Sequence, residues 1–81
     1  MAGMPRFYFD IHDGDDFIPD NEGLDLEGVE DAKAEAVNTL PDMARDGLPE
    51  GDSRDFVVIV RDETDRPVWR VRLSLVVEPL D

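Results

Sequence analysis

Residues Phe56-Val57-Val58-Ile59-Val60 form an unbroken apolar run rich in β-branched side chains. The run is too short for a helix, and its composition suits extended backbone, so it predicts a central strand that needs cover on both faces. A chain built on such a strand must supply a sheet and something to lie on each side of it. This one has 81 residues for the purpose, and at about 100–200 residues per domain that means a single domain. An apolar content of 41% against a charged content of 36% leaves material for one thin core. Met1-Ala2-Gly3 reads as a leader or alternative start, which puts the expected domain at residues 4–81.

The remaining elements follow from periodicity. Phe7, Phe9 and Ile11 alternate with Arg6, Tyr8, Asp10 and His12, the two-residue period of a strand with one apolar face. Asp13-Gly14 signals a tight turn, and Phe17-Ile18 before Pro19 predicts a short returning strand whose outer edge is guarded by acids. Asp20-Asn21-Glu22-Gly23 is a second turn signal, after which Leu24 and Leu26 are expected to extend the second strand beyond a bulge. Val29, Ala32, Ala36, Leu40 and Met43 then recur at steps of three and four, with Val37 and Ala44 widening the stripe, which predicts an amphipathic helix from about Gly28 to Asp46.

Glu27, Glu30 and Asp31 suit the start of that helix, Arg45 suits its end, and Gly47 is a natural stop. Pro41 removes a backbone donor and crowds the preceding turn, so a kink is expected between Asn38 and Asp42 in preference to a clean break. Leu48 to Ser53 reads as a loop. Asp62 to Arg66 reads as the turn of a second hairpin, whose returning strand, Val68 to Val77, sets Trp69, Val71, Leu73 and Leu75 on one face against Arg70, Arg72 and Ser74 on the other.

The expected architecture is therefore α+β, a four-stranded, largely antiparallel sheet in the order β-β-α-β-β with one amphipathic helix packed on one face. Its core is expected to comprise Phe7, Phe9, Ile11, Ala32, Ala36, Leu40, Trp69, Val71 and Leu73.

Charge narrows the function. Eight Lys plus Arg against 21 Asp plus Glu give 8 − 21 = −13, which opposes binding to phosphate backbones and to anionic membranes, so no nucleic-acid partner and no membrane partner is expected. Ten of the acids lie between Asp10 and Asp31, where there is no Lys or Arg, whereas Arg54 to Arg72 holds five Arg against four acids. The absence of Cys removes disulfides, thiolate metal sites and cysteine nucleophiles. No apolar run reaches the length of a membrane span, and the first residues lack a secretory signal, so a soluble cytoplasmic protein is expected.

Met4-Pro5-Arg6-Phe7-Tyr8-Phe9, then His12-Asp13-Gly14, the acidic Asn21-Glu22-Gly23 turn, an Ala/Glu-rich helix ending Arg45-Asp46-Gly47 and a Val-rich hairpin follow one another in this chain. In that order they resemble a small family of bacterial domains of unknown function whose opening strand reads Met-Pro-Arg-aromatic-aromatic-Phe. The resemblance covers Met4 to Leu75 and implies one domain, a bacterial source and no assigned catalytic role. Pro41 departs from the family's helix pattern, in which an interior proline is uncommon.

Three residue groups are candidates for chemistry. Asp13, Asp15, Asp16, Asp20 and Glu22 gather five carboxylates near one hairpin, as a hard cation requires, but the spacing fails an EF-hand loop, whose fifth and sixth positions would be Phe17 and Ile18. Tyr8, Asp10 and His12 share a strand face, so Asp10 could orient His12 as a general base, yet no motif activates Ser53, Ser74, Thr39, Thr64 or Tyr8 as its nucleophile. Arg70 and Arg72, with Arg6 and Arg61, could form a basic stripe with Tyr8, unless Asp10 and other carboxylates pair with them across strands.

The leading expectation is a non-enzymatic, acidic protein–protein interaction module that self-associates or binds another protein. Its surface would be Val57, Ile59 and Val76, because a single helix cannot cover both faces of the sheet. The homodimer would form through the second hairpin, across the outer sheet face or along the edge of the final strand. No cofactor and no catalytic or metal residue is assigned under this reading. The alternative is a small metal-binding or catalytic protein using the Asp10 to Glu22 cluster with His12.

Overall fold

In a computed structural model, which describes residues 3–46 and 53–80, the chain runs β1 (Arg6–Asp13), β2 (Asp16–Ile18), β3 (Leu24–Asp25), α1 (Val29–Asp46), β4 (Ser53–Arg61) and β5 (Pro67–Val76). The strands are antiparallel in the order β2-β1-β4-β5. The fold is α+β, with one helix on one face of the sheet. Five strands are present among the described residues where four were expected, because Leu24 and Asp25 form their own short strand. β3 pairs with the opening of β1, at Phe7 and Arg6, while β2 pairs with its end, at Ile11, His12 and Asp13. Both therefore occupy the same edge.

The apolar run sits in the second-from-edge strand, β4, between β1 and β5. Its alternation decides the two faces. Phe56, Val58 and Val60 are fully buried and pair with Leu73, Val71 and Trp69 on one side and with Asp13, Ile11 and Phe9 on the other. They meet Ala32, Ala36 and Leu40 from the helix, with Phe7 completing the buried set. Every residue of the expected core lies in or against this cluster, with Phe9, Ile11, Trp69, Val71 and Leu73 half-buried at its margin. Ala32 and Ala36 let the helix approach closely, as small side chains do when a helix lies on a β surface.

Helix α1 spans the expected residues as one element with Pro41 inside it, so the proline does not divide it. Glu30 and Asp31 lie in the first turn and Arg45 in the last, each favoured by the helix dipole. The Trp69 indole N–H donates to the Val29 carbonyl at 2.7 Å, and Lys33 Nζ lies 5.1 Å from the centre of the same ring, which ties the start of the helix to β5. The expected stop at Gly47, the loop from Leu48 and most of the leader lie outside the described residues.

The two hairpin turns differ in chemistry. Gly14 adopts φ of +60° between the paired Asp13 and Asp16, in open space, so the turn needs its backbone freedom and nothing more. In the β4–β5 turn the Asp62 carboxylate accepts from Thr64 N, Thr64 Oγ1 and Arg66 N, while Asp65 takes φ of +66°. Beside this turn the β4–β5 register shifts between Val60 and Arg61, leaving Val68 of β5 without a ladder partner, while strand alternation keeps Arg61 on the face away from the helix, opposite Tyr8.

Candidate functional site

The face of the sheet away from the helix has no covering element among the described residues. Register places on it Tyr8 beside Arg61, Asp10 beside Ile59 and Arg70, His12 beside Phe17, Val57 and Arg72, and Asp55 beside Ser74. Three things happen there: an ion-pair knot at one end, an open concavity in the middle, and an exposed apolar end at Val76.

The knot centres on Asp10, which is 7% exposed. Arg61 donates to it twice, from Nε at 2.5 Å and from Nη2 at 3.0 Å, and the Asp20 backbone N–H donates to it at 2.9 Å. Arg61 also reaches the Asp20 carbonyl and the Asp65 carboxylate, and its guanidinium lies 4.9 Å from the centre of the Tyr8 ring. Asp20 in turn accepts from Phe9 N, Glu22 N and Gly23 N. The hydrogen bonds from Arg61 hold the Asp10 carboxyl below the ordinary carboxylate range against the opposing effect of burial. Burial also opposes the charge of Asp20, but its amide donors and Arg61 outweigh it and the pKa is lowered. These contacts bind the β1–β4 ladder to the loop between β2 and β3.

The expectation that Asp10 orients His12 is corrected by this geometry. Both Asp10 oxygens face Arg61, whereas His12 stacks on Phe17 with ring centres 4.6 Å apart. Ser74 shares the sheet face with His12 but stands two strands away and two residues further along, roughly 12 Å at the usual strand dimensions. Among the described residues, no nucleophile stands beside the imidazole.

The acidic cluster is also divided among separate partners. Asp13 forms a two-point pair with Arg54, at 2.7 Å for each bond, which lowers its pKa, and Asp20 serves the loop amides. Among the described residues, no group of three or more His, Asp or Glu side chains converges as a metal centre would require. Cross-strand pairing likewise takes Arg61 and Arg6 out of the expected basic stripe, because Arg6 binds Asp25 and the Glu22 carbonyl. Gly23 makes room for that arrangement: at φ of +76°, a Cβ there would lie 2.8 to 2.9 Å from Arg6 and Tyr8.

What remains open is the middle of the face. His12, Gly14, Asp55, Val57, Ile59, Arg70 and Arg72 line a concavity of about 420 Å³. Val57 and Ile59 are its half-buried floor, and Arg70 and Arg72 are its exposed rim. Neither arginine has a carboxylate within ion-pair distance among the described residues. Val76, 62% exposed, lies on the same face, but the Asp55 and Ser74 pair and Arg72 separate it from Val57 and Ile59. The three residues expected to form one apolar surface are thus on one face without being contiguous.

Sequence reading raised the pairing of Asp10 with the arginines across strands but not the knot around it, whose members are spread from Tyr8 to Asp65 and meet only through the pairing of β1 with β4. The one local sign was Asp20 ahead of Glu22-Gly23, the pattern of a side chain that closes a turn on its own backbone. No curated protein and no solved structure matches the chain. A family model described as a domain of unknown function, DUF6894, matches residues 6–74, from the first strand through nearly all of the last, and the chain belongs to that family.

Proposed function

We propose that the domain is a non-enzymatic protein interaction module that associates with copies of itself. The observation that carries this reading is the uneven cover of the sheet. Helix α1 closes one face incompletely and leaves the row from Trp69 to Leu75 of β5 half-buried, while Val57, Ile59 and Val76 on the other face have no covering element among the described residues. Exposed apolar surface on a small domain marks a place where another surface sits. The polar groups that would support chemistry are instead occupied: Asp10 by Arg61, Asp13 by Arg54, and Asp20 by the loop amides.

Static light scattering at two protein concentrations, about tenfold apart, tests the reading. A mass that rises from one chain towards two supports it. One chain at high micromolar concentration overturns it.

A further inference from the structure

We propose that two copies join edge to edge through β5, antiparallel about a two-fold axis, so that two sheets become one and the two helices lie side by side on it. This rests on the reading of the domain as a self-associating module and adds the surface and its geometry.

The first argument is the backbone. The ten residues of β5 pair with β4 on one side, and no described strand lies on the other. Alternate N–H and C=O groups along that edge therefore point outward in the pattern another strand would complete. The opposite edge of the sheet cannot offer the same. It consists of β2 and β3, three and two residues long, and both carry exposed acids.

The second argument is the apolar row. On the helix side of β5, Trp69, Val71, Leu73 and Leu75 stay half-buried, because α1 covers them incompletely. Val29 and Val37 extend this row onto the helix. Val29 and Lys33 are fixed beside β5 by Trp69, and Val37 follows one step of four residues on, with Val29 42% and Val37 50% exposed.

The third argument is distance. Paired strands stand about 4.8 Å apart, so each β5 would lie about 2.4 Å from the axis and each β4 about 7 Å from it. Helix α1 packs across β4 and β5. Its axis then falls about 5 Å from the two-fold, and the two helices about 10 Å apart, within helix-packing range. Val37 would meet its own copy there.

Charge selects the same edge. A chain of net charge −13 repels its copy, and the repulsion is smallest where carboxylates are absent. From Pro67 to Val77 there is no Asp or Glu, so no carboxylate of the strand meets its copy; Arg70 and Arg72 attract the approaching acidic chain, and their facing one another on the outer side of the joined sheet offsets part of that gain. Such a contact is isologous and closes at two copies.

The test combines light scattering with hydrogen exchange on the same samples. A dimer is expected in which the amides of β5 that face β4 are protected at every concentration, while the alternate, outward amides gain protection only as the dimer forms. Val37→Lys, at a half-exposed position, is expected to keep the far-ultraviolet spectrum and to weaken the dimer at least about tenfold. Ile59→Lys, on the outer face, is expected to leave it intact. If a dimer forms while the outward β5 amides exchange as in the single chain, the edge assignment is overturned and self-association stands. A dimer lost on Ile59→Lys and kept by Val37→Lys also overturns it, by moving the interface to the outer face. A monomer throughout overturns both readings.

Discussion

At the β2/β3 edge, Asp10, Asp13, Asp20 and Asp25 each hold an arginine or a set of backbone amides; at the β5 edge, Arg70 and Arg72 hold no carboxylate among the described residues. The contrast reverses what charge counting suggests. Between Asp10 and Asp31 the sequence looks like a ligand-seeking acidic surface, but folding brings Arg6, Arg54 and Arg61 to it from elsewhere in the chain. Several of its carboxylates hold loops in place. The β5 strand carries no carboxylate, and along it one backbone edge, part of the apolar row and the cationic Arg70 and Arg72 lack partners among the described residues.

The largest effect should come from breaking the knot. Asp10→Ala leaves Arg61 and the Asp20 amide without their acceptor in a mostly buried position, and should cost about 3 kcal/mol in urea-induced unfolding. The low end of the range for buried pairs applies because the Arg61 side chain is 24% exposed. A loss below about 0.5 kcal/mol would mean that the acidic edge is as dispensable as an ordinary solvated surface.

Next come the two left-handed glycines of that edge. Gly23→Ala meets an unfavourable φ and also drives its methyl into Arg6 and Tyr8, so about 2 kcal/mol is expected. Gly14→Ala meets only the unfavourable φ, with open space around it, and about 1 kcal/mol is expected. Equal losses in thermal melts would show that the packing at Gly23 yields freely.

Acid should unfold the same edge. Asp10, Asp13 and Asp20 have lowered pKa values in the folded protein, from Arg61, from Arg54, and from backbone amides that outweigh burial. A carboxyl whose folded pKa lies below its unfolded value of about 3.9 stabilises the fold above that pH. The unfolded chain binds more protons as pH falls, so this stability is lost below about pH 4. Urea melts from pH 6 to pH 2.5 should show the loss, and Asp10→Asn should make it shallower. An unchanged slope in that variant would remove Asp10 from the account.

How far these features could be read from the sequence depended on how local they were. Strand alternation at Phe7 to Ile11, the β4 run and the helix stripe are periodic within a few residues, so the layers and the core were legible. Gly14 was legible too, because a two-residue hairpin turn has its own signature. The separate β3 strand was not: two residues carry no period, and only the pairing of Phe7 with Leu24 defines it. The destination of Asp10 was legible only as a choice between His12 and the arginines across the strands. His12 is its neighbour by strand period, whereas Arg61 lies 51 positions away and arrives only through the register of β1 on β4.

The smallest effect on folding is expected at Arg70 and Arg72, where the comparison is sharpest. Both are exposed on the outer face and neither has an ion-pair partner among the described residues, so replacing both with Ala should change the unfolding free energy of the single chain by no more than about 0.5 kcal/mol. Their influence should appear between chains. The double variant takes the net charge from −13 to −13 − 2 = −15 and removes the only positive charges from the carboxylate-free strip. Two such chains repel more strongly on approach, although at contact the loss of four facing arginines relieves repulsion, so the effect falls on the rate of association. Association of the variant, followed by stopped-flow mixing, should therefore be slower than that of the unmodified chain at about 0.05 M salt, and the two rates should converge at about 0.5 M, where screening removes the difference. If the variant associates as fast at low salt as the unmodified protein, charge does not steer chains to the β5 edge, and its selection rests on the open backbone and on Val29, Val37 and the half-buried row of β5.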